Sequence, residues 1–126
     1  MIKKRYSDAD LEEFRLIIEA KLALARTNYK LMLRTLRNED GNDVADTSPT
    51  FKVLEEGSAT QSKEDTMRFA MREEKFIRAL EAALLRIENK TYGIDRISGE
   101  LIPKERLRIV PHATLSVESK NANRKH

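Results

Sequence analysis

Asn38-Glu39-Asp40-Gly41-Asn42-Asp43-Val44-Ala45-Asp46-Thr47-Ser48-Pro49 is the stretch on which the fold turns. Gly and Asn tolerate the left-handed backbone that ends helices and makes turns, so Asn38 to Asp43 reads as a helix stop. Before it, a helical pattern runs over 8–37; after it, a second runs over about 62–89. Two helices of similar length joined by one connection are expected to fold back as an antiparallel hairpin. The connection, 38–61, then forms the tip. From Asn38 to Gly57 six acids (Glu39, Asp40, Asp43, Asp46, Glu55, Glu56) face Lys52 alone. That is a local net charge of −5 in a chain of net +3, which leaves +8 on the rest.

The first helix has Ser7 as a candidate N-cap, with Asp8 and Asp10 suited to the positive end of the helix dipole. Leu11, Ile18, Leu22, Ala25, Tyr29, Met32 and Leu36 recur at spacings of mostly three and four. They form a coiled-coil seam, widened by Phe14 and Ile17. Neither proline nor glycine interrupts it, and at ~1.5 Å per residue the helix is about 45 Å long. Ser48-Pro49 is expected to open a short helical turn, with Phe51, Val53 and Leu54 as its apolar side and Gly57 ending it. The second helix carries a seam of Ala70, Ile77, Leu80, Leu84 and Ile87, with Phe69, Phe76 and Ala83 beside it. Glu73 or Glu74 falls near that seam, where weaker packing is expected. Asn89 to Gly93 ends the helix. Residues 92–120 change character: Gly93, Gly99, Pro103 and Pro111 punctuate short apolar runs. They read as a small lobe of turns with a short helix near Lys104 to Arg108 and a strand or two. Residues 121–126 read as a frayed basic tail.

The chain has 126 residues, 36% of them charged and 6% aromatic. That suits a slender object with much surface and little core. It has no cysteine, which excludes disulfides and thiolate-built zinc sites. No apolar run approaches the roughly 18–20 residues that cross a bilayer. The basic N-terminus, Met1 to Tyr6, lacks the apolar core of a signal peptide. The expectation is therefore a cytoplasmic protein without membrane contact. No nucleophile–base pair, phosphate loop or metal cluster appears, so it is not expected to be an enzyme.

From Arg86-Ile87-Glu88-Asn89-Lys90-Thr91-Tyr92-Gly93, through Gly99-Glu100-Leu101-Ile102-Pro103 and Arg106-Leu107, to Pro111-His112-Ala113-Thr114-Leu115, the chain resembles the DksA/TraR family of bacterial transcription factors, in the variety seen in Bacteroidetes. The likeness covers Leu85 to Lys120 in sequence and the rest in architecture. It implies a mainly α fold: a long antiparallel two-helix coiled-coil hairpin, residues 1–91, with a small C-terminal zinc-finger-like lobe. In the family that lobe holds zinc on four cysteines; the matching positions here are Asp95, Ser98, Ser116 and Ser119. Three hydroxyls and a carboxylate make a poor zinc site, so a degenerate finger lacking metal is expected. His112 is read as a hydrogen-bonding lobe residue, not a ligand.

The family's tip motif, D-x-x-D-x-A, matches Asp43, Asp46 and, with serine for alanine, Ser48. Aspartate also suits turns and caps, which is the plain alternative for both acids. The resemblance implies a regulator that binds RNA polymerase through its secondary channel and brings the acidic tip near the active site. Promoter complexes would be altered in stability without sequence-specific DNA binding. Guanosine tetraphosphate is the co-regulator it suggests, with Lys90, Lys104 and Arg106 as candidate phosphate contacts. The competing readings are a Gre-like transcript-cleavage factor and a structural or adaptor coiled coil.

Overall fold

The computed structural model describes residues 4–37 and 49–124, with side chains for 4–37 and 62–122. Four helices occur among them: α1 Asp8–Arg37, α2 Pro49–Glu88, α3 Lys104–Ile109 and α4 Val117–Arg124. The chain divides into two compact units, Met1–Ala23 with Arg78–His126, and Leu24–Ile77. In each, a stretch of α1 packs on a stretch of α2, and the two long helices form a hairpin.

In the first unit, α1 starts at a working cap. The Asp10 N–H donates to Ser7 Oγ at 3.1 Å, and the Leu11 N–H to the Ser7 carbonyl at 2.9 Å. Leu11, Phe14, Ile18 and Leu22 on α1 and Leu80, Ala83 and Ile87 on α2 are buried, as the seam spacing required. The lobe adds Tyr92, Ile102, Leu107, Pro111 and Ala113 to this core. Three aromatic rings meet in it. Tyr6 stands edge-on to Phe14 at 6.0 Å and 62°, and Phe14 lies 5.4 Å from Tyr92 at 43°. Such pairs contribute about 0.5–1.5 kcal/mol beyond their area. Each tyrosine also satisfies its hydroxyl: Tyr6 donates to the Ile102 carbonyl, and Tyr92 to the Pro111 carbonyl at 2.7 Å.

The end of α2 is a Schellman motif. The Lys90 N–H donates to the Ile87 carbonyl at 3.1 Å and the Thr91 N–H to the Arg86 carbonyl at 2.9 Å. Lys90, with φ 64°, takes the left-handed position where glycine is usual. Glycine is reserved for Gly93, at φ 79°, where a Cβ would lie 2.7 Å from two Tyr6 ring carbons.

In the second unit, Ala25 and Ala70 are buried, and Tyr29, Met32, Leu36, Phe76 and Ile77 are half-buried. Glu74 does fall at this seam. It is accommodated because the Tyr29 hydroxyl donates to its Oε2 at 2.8 Å. Phe69, expected beside the seam, is instead 51% exposed, with the Arg72 guanidinium 5.9 Å from its ring.

Several expected boundaries are corrected. The acidic connection was expected over 38–61, with a helix from about 62. Instead α2 begins at Pro49 and passes Gly57 without a break, so the connection narrows to 38–48. Proline is tolerated at a first helical position, and one interior glycine costs only about 1 kcal/mol relative to alanine. That is too little to end a 40-residue helix. In the lobe no strand forms among the described residues; Ile94 and Leu101 make a single antiparallel bridge. The tail expected at 121–126 is helical as far as Arg124, because α4 is nucleated by a serine cap described below.

Replacing Gly93 by alanine combines left-handed strain with overpacking against Tyr6. It should destabilise the protein by about 2–4 kcal/mol in chemical denaturation. A loss under 1 kcal/mol would mean that the Tyr6 ring can move aside.

Candidate functional site

The four lobe positions singled out in the sequence, Asp95, Ser98, Ser116 and Ser119, come together. Asp95 follows the Ile94 bridge, and its own N–H donates to the Glu100 carbonyl at 2.8 Å, closing a tight turn over 95–100. The turn aims its carboxylate inward, where it is 1% exposed. Oδ1 accepts from the Ile97 N–H at 2.8 Å and the Ser98 N–H at 3.1 Å. Oδ2 accepts from the Ser116 N–H at 2.9 Å, and the Ser116 and Ser119 hydroxyls lie close enough to help stabilise its charge.

Ser116 also caps α4: its Oγ accepts the Ser119 N–H at 3.1 Å. Asp95 therefore sits at the start of that helix, where the dipole favours an anion. On the other side, the Ser98 Oγ accepts the Glu100 N–H at 3.2 Å. Burial alone would push the Asp95 carboxyl up. Hydrogen bonds from the Ser119 hydroxyl, from the Ser116 N–H and hydroxyl, and from the Ile97 N–H outweigh it and hold the group well below the usual carboxylate range.

This arrangement does not fit zinc. A structural zinc ion takes thiolate sulfur or imidazole nitrogen in a closed tetrahedron. Here the donors would be neutral hydroxyls and a carboxylate whose two oxygens already accept three backbone hydrogen bonds. Among the described residues no group of three or more His, Cys, Asp or Glu is placed to hold a metal ion.

The basic residues nominated as phosphate contacts are occupied within the same unit. Lys90 Nζ donates to Asp8 Oδ1 at 3.0 Å, and Lys104 Nζ to Asp10 Oδ1 at 2.7 Å. The first turn of α1 is thus held by two lysines. The Lys104 hydrogen bond is the main cause that lowers the Asp10 pKa, as Lys90 is for Asp8. Arg106 Nε donates to the Leu115 carbonyl at 2.8 Å, tying α3 to the segment before α4. His112 is half-buried; burial, then the Arg86 and Arg106 charges, lower its pKa. Asp43, Asp46 and Ser48 lie outside the described residues.

Sequence reasoning did not find Tyr6, whose ring and hydroxyl lock the lobe in this unit. A signal was present: Tyr6 immediately precedes the Ser7 cap, the position from which an apolar residue packs back on its helix.

No protein-family model matches the chain. Over 56 residues, 44% of the chain, it is 41% identical to the uncharacterized protein YteA of Bacillus subtilis strain 168; that stretch covers 23% of YteA. The transcription factor DksA2 from Pseudomonas aeruginosa superposes on 93% of this chain and 84% of its own, with a TM-score of 0.77 and 23% identity. The chain has a DksA-like fold. Among the described residues no helix is long and apolar enough to cross a membrane.

The low Asp95 pKa has a consequence for stability. Its folded value lies below the unfolded one, so its contribution is complete above about pH 4 and is lost as pH falls toward the folded value. The denaturation midpoint should decline below about pH 4. Asp95→Asn, less stable throughout, should show a shallower decline; identical slopes would mean that Asp95 ionises normally.

Proposed function

We propose that this protein is a transcription regulator, not an enzyme, that acts by binding RNA polymerase. Its helical hairpin would enter the secondary channel, with the connection that carries Asp43, Asp46 and Ser48 approaching the active site. The observation that carries this reading is the likeness to a transcription factor over 93% of the chain. The sequence adds support: the D-x-x-D motif falls in 38–48, between the end of α1 at Arg37 and the start of α2 at Pro49. Carboxylates there suit basic side chains or Mg²⁺ near a catalytic centre. The action is on promoter-complex lifetime, in the cytoplasm and without sequence-specific DNA contacts.

Guanosine tetraphosphate is the candidate co-regulator at the polymerase interface. Lys90, Lys104 and Arg106 are its candidate contacts, and any phosphate there competes with Asp8, Asp10 and the Leu115 carbonyl for them.

The test is a polymerase pull-down joined to a promoter-complex lifetime assay, with and without guanosine tetraphosphate. Wild type should bind and change lifetimes. The Asp43→Asn/Asp46→Asn double variant should bind with similar affinity and leave lifetimes unchanged. A double variant with full effect would remove the role of the acids, and a wild type that fails to bind polymerase would remove the proposal. Cleavage of the transcript in a stalled elongation complex would point to the Gre-like alternative.

A further inference from the structure

We propose that the Asp95 carboxylate does the structural work of a bound ion in this lobe, so that the lobe folds without metal and without thiol chemistry. The inference rests on the lobe's geometry and stands whether or not the protein binds polymerase.

A metal ion staples a small lobe because one centre of charge collects ligands from segments far apart in sequence. Asp95 does the same with the sign reversed. Its donors come from two places: Ile97 and Ser98 in its own turn, and Ser116 at the start of α4, some twenty residues on, with the Ser119 hydroxyl adding to the stabilisation of the charge. A buried anion with every donor in place binds each segment by charge-assisted hydrogen bonds, roughly twice as strong as neutral ones. The penalty for mispairing is correspondingly severe, because a carboxylate at 1% exposure has no water to fall back on. Only this folded arrangement satisfies it, which is how it selects one conformation for a lobe of two short helices and turns.

The serines are matched to the anion. Ser116 supplies its N–H to Asp95, while its Oγ accepts from the Ser119 N–H. Ser98 supplies its N–H, and its Oγ accepts from Glu100. Each hydroxyl at positions 98 and 116 thus orders the segment that presents a backbone donor. The same unit also has an apolar core, in which Tyr92, Ile102 and Leu107 are fully buried. A small lobe that lacks a metal needs such a core as well as the internal anion.

The spacing also makes the substitution reversible. Positions 95 and 98 and positions 116 and 119 form two pairs with two intervening residues each, brought to one point. Four thiolates in those places would have the ligand number and spacing of a structural zinc site.

The experiment uses the full chain. Wild-type protein, assayed by elemental analysis, should carry no stoichiometric zinc. Its thermal midpoint should be unmoved by a strong chelator, by added zinc or by a thiol oxidant. One zinc per chain, or a midpoint lowered by chelator, would overturn the proposal. Asp95→Asn keeps the shape but loses the charge, and Ser119→Ala removes one hydroxyl donor and leaves the backbone intact. The first should lower the midpoint by roughly 10 °C and the second by a few degrees.

In both variants, amide exchange should accelerate from 94 to 120, with the α1 protection at Leu11 to Leu22 retained. Unchanged midpoint and exchange in Asp95→Asn would show that the anion is dispensable and would end the inference. The quadruple variant D95C/S98C/S116C/S119C should bind one zinc and become chelator-sensitive. A folded quadruple variant that takes up no zinc would show that the four positions do not converge as described.

Discussion

A carboxylate sealed from water and met by no cation among the described residues needs hydrogen-bond donors, and the lobe is arranged around that demand. Asp95 could be satisfied by its own turn alone, as aspartates in exposed turns commonly are. Here the turn supplies only two donors, and the remainder come from the start of α4. The charge that closes the turn therefore also fixes where the C-terminal helix begins. The helix dipole favours the anion, and the anion stabilises a helix of only eight residues that would be marginal alone.

The hairpin end in the same unit is joined to the lobe by a different kind of contact. Phe14 on α1 lies between Tyr6, before the helix, and Tyr92, after α2, so the two aromatic pairs bring three chain segments together. Their hydroxyls reach the Ile102 and Pro111 carbonyls on either side of α3, which removes two backbone acceptors from the list of groups needing water. Gly93 makes the close Tyr6 approach feasible, and Lys90 accepts left-handed strain one turn earlier. Surface ion pairs from Lys90 and Lys104 to Asp8 and Asp10 then add orientation, but little energy at such exposure.

What the sequence made legible was what repeats. The three–four spacing of Leu11, Ile18, Leu22 and Ala25, and of Leu80, Ala83 and Ile87, located the buried faces because a helix imposes one period along its whole length. The serine cap at Ser7 was readable for a similar reason, since its hydrogen bond is local. The start of α2 was not, because Pro49 and Gly57 each have a helical and a non-helical use, and local signals do not choose between them. Phe69 was misplaced because its apolar character was weighed without the rotation of the helix that leaves it exposed. The convergence of Asp95, Ser98, Ser116 and Ser119 was visible only as a family correspondence. Nothing in the residue types says that a carboxylate can stand in for an ion until its donors are in place. Tyr6 was lost among basic neighbours that direct attention to charge.

The corrected start of α2 sharpens the charge pattern that first drew attention to the connection. With Pro49 already helical, Lys52, Glu55 and Glu56 belong to α2, and residues 38–48 hold four acids and no base. At the start of α1 the acids have basic partners: Asp8 has Arg5 and Lys90, and Asp10 has Lys104. The eleven residues of the connection contain no lysine or arginine; the bases that flank it in sequence are Arg37 at the end of α1 and Lys52 in α2. If the connection approaches a basic surface or a divalent cation, as proposed above, four acids without a base among eleven residues would favour that approach.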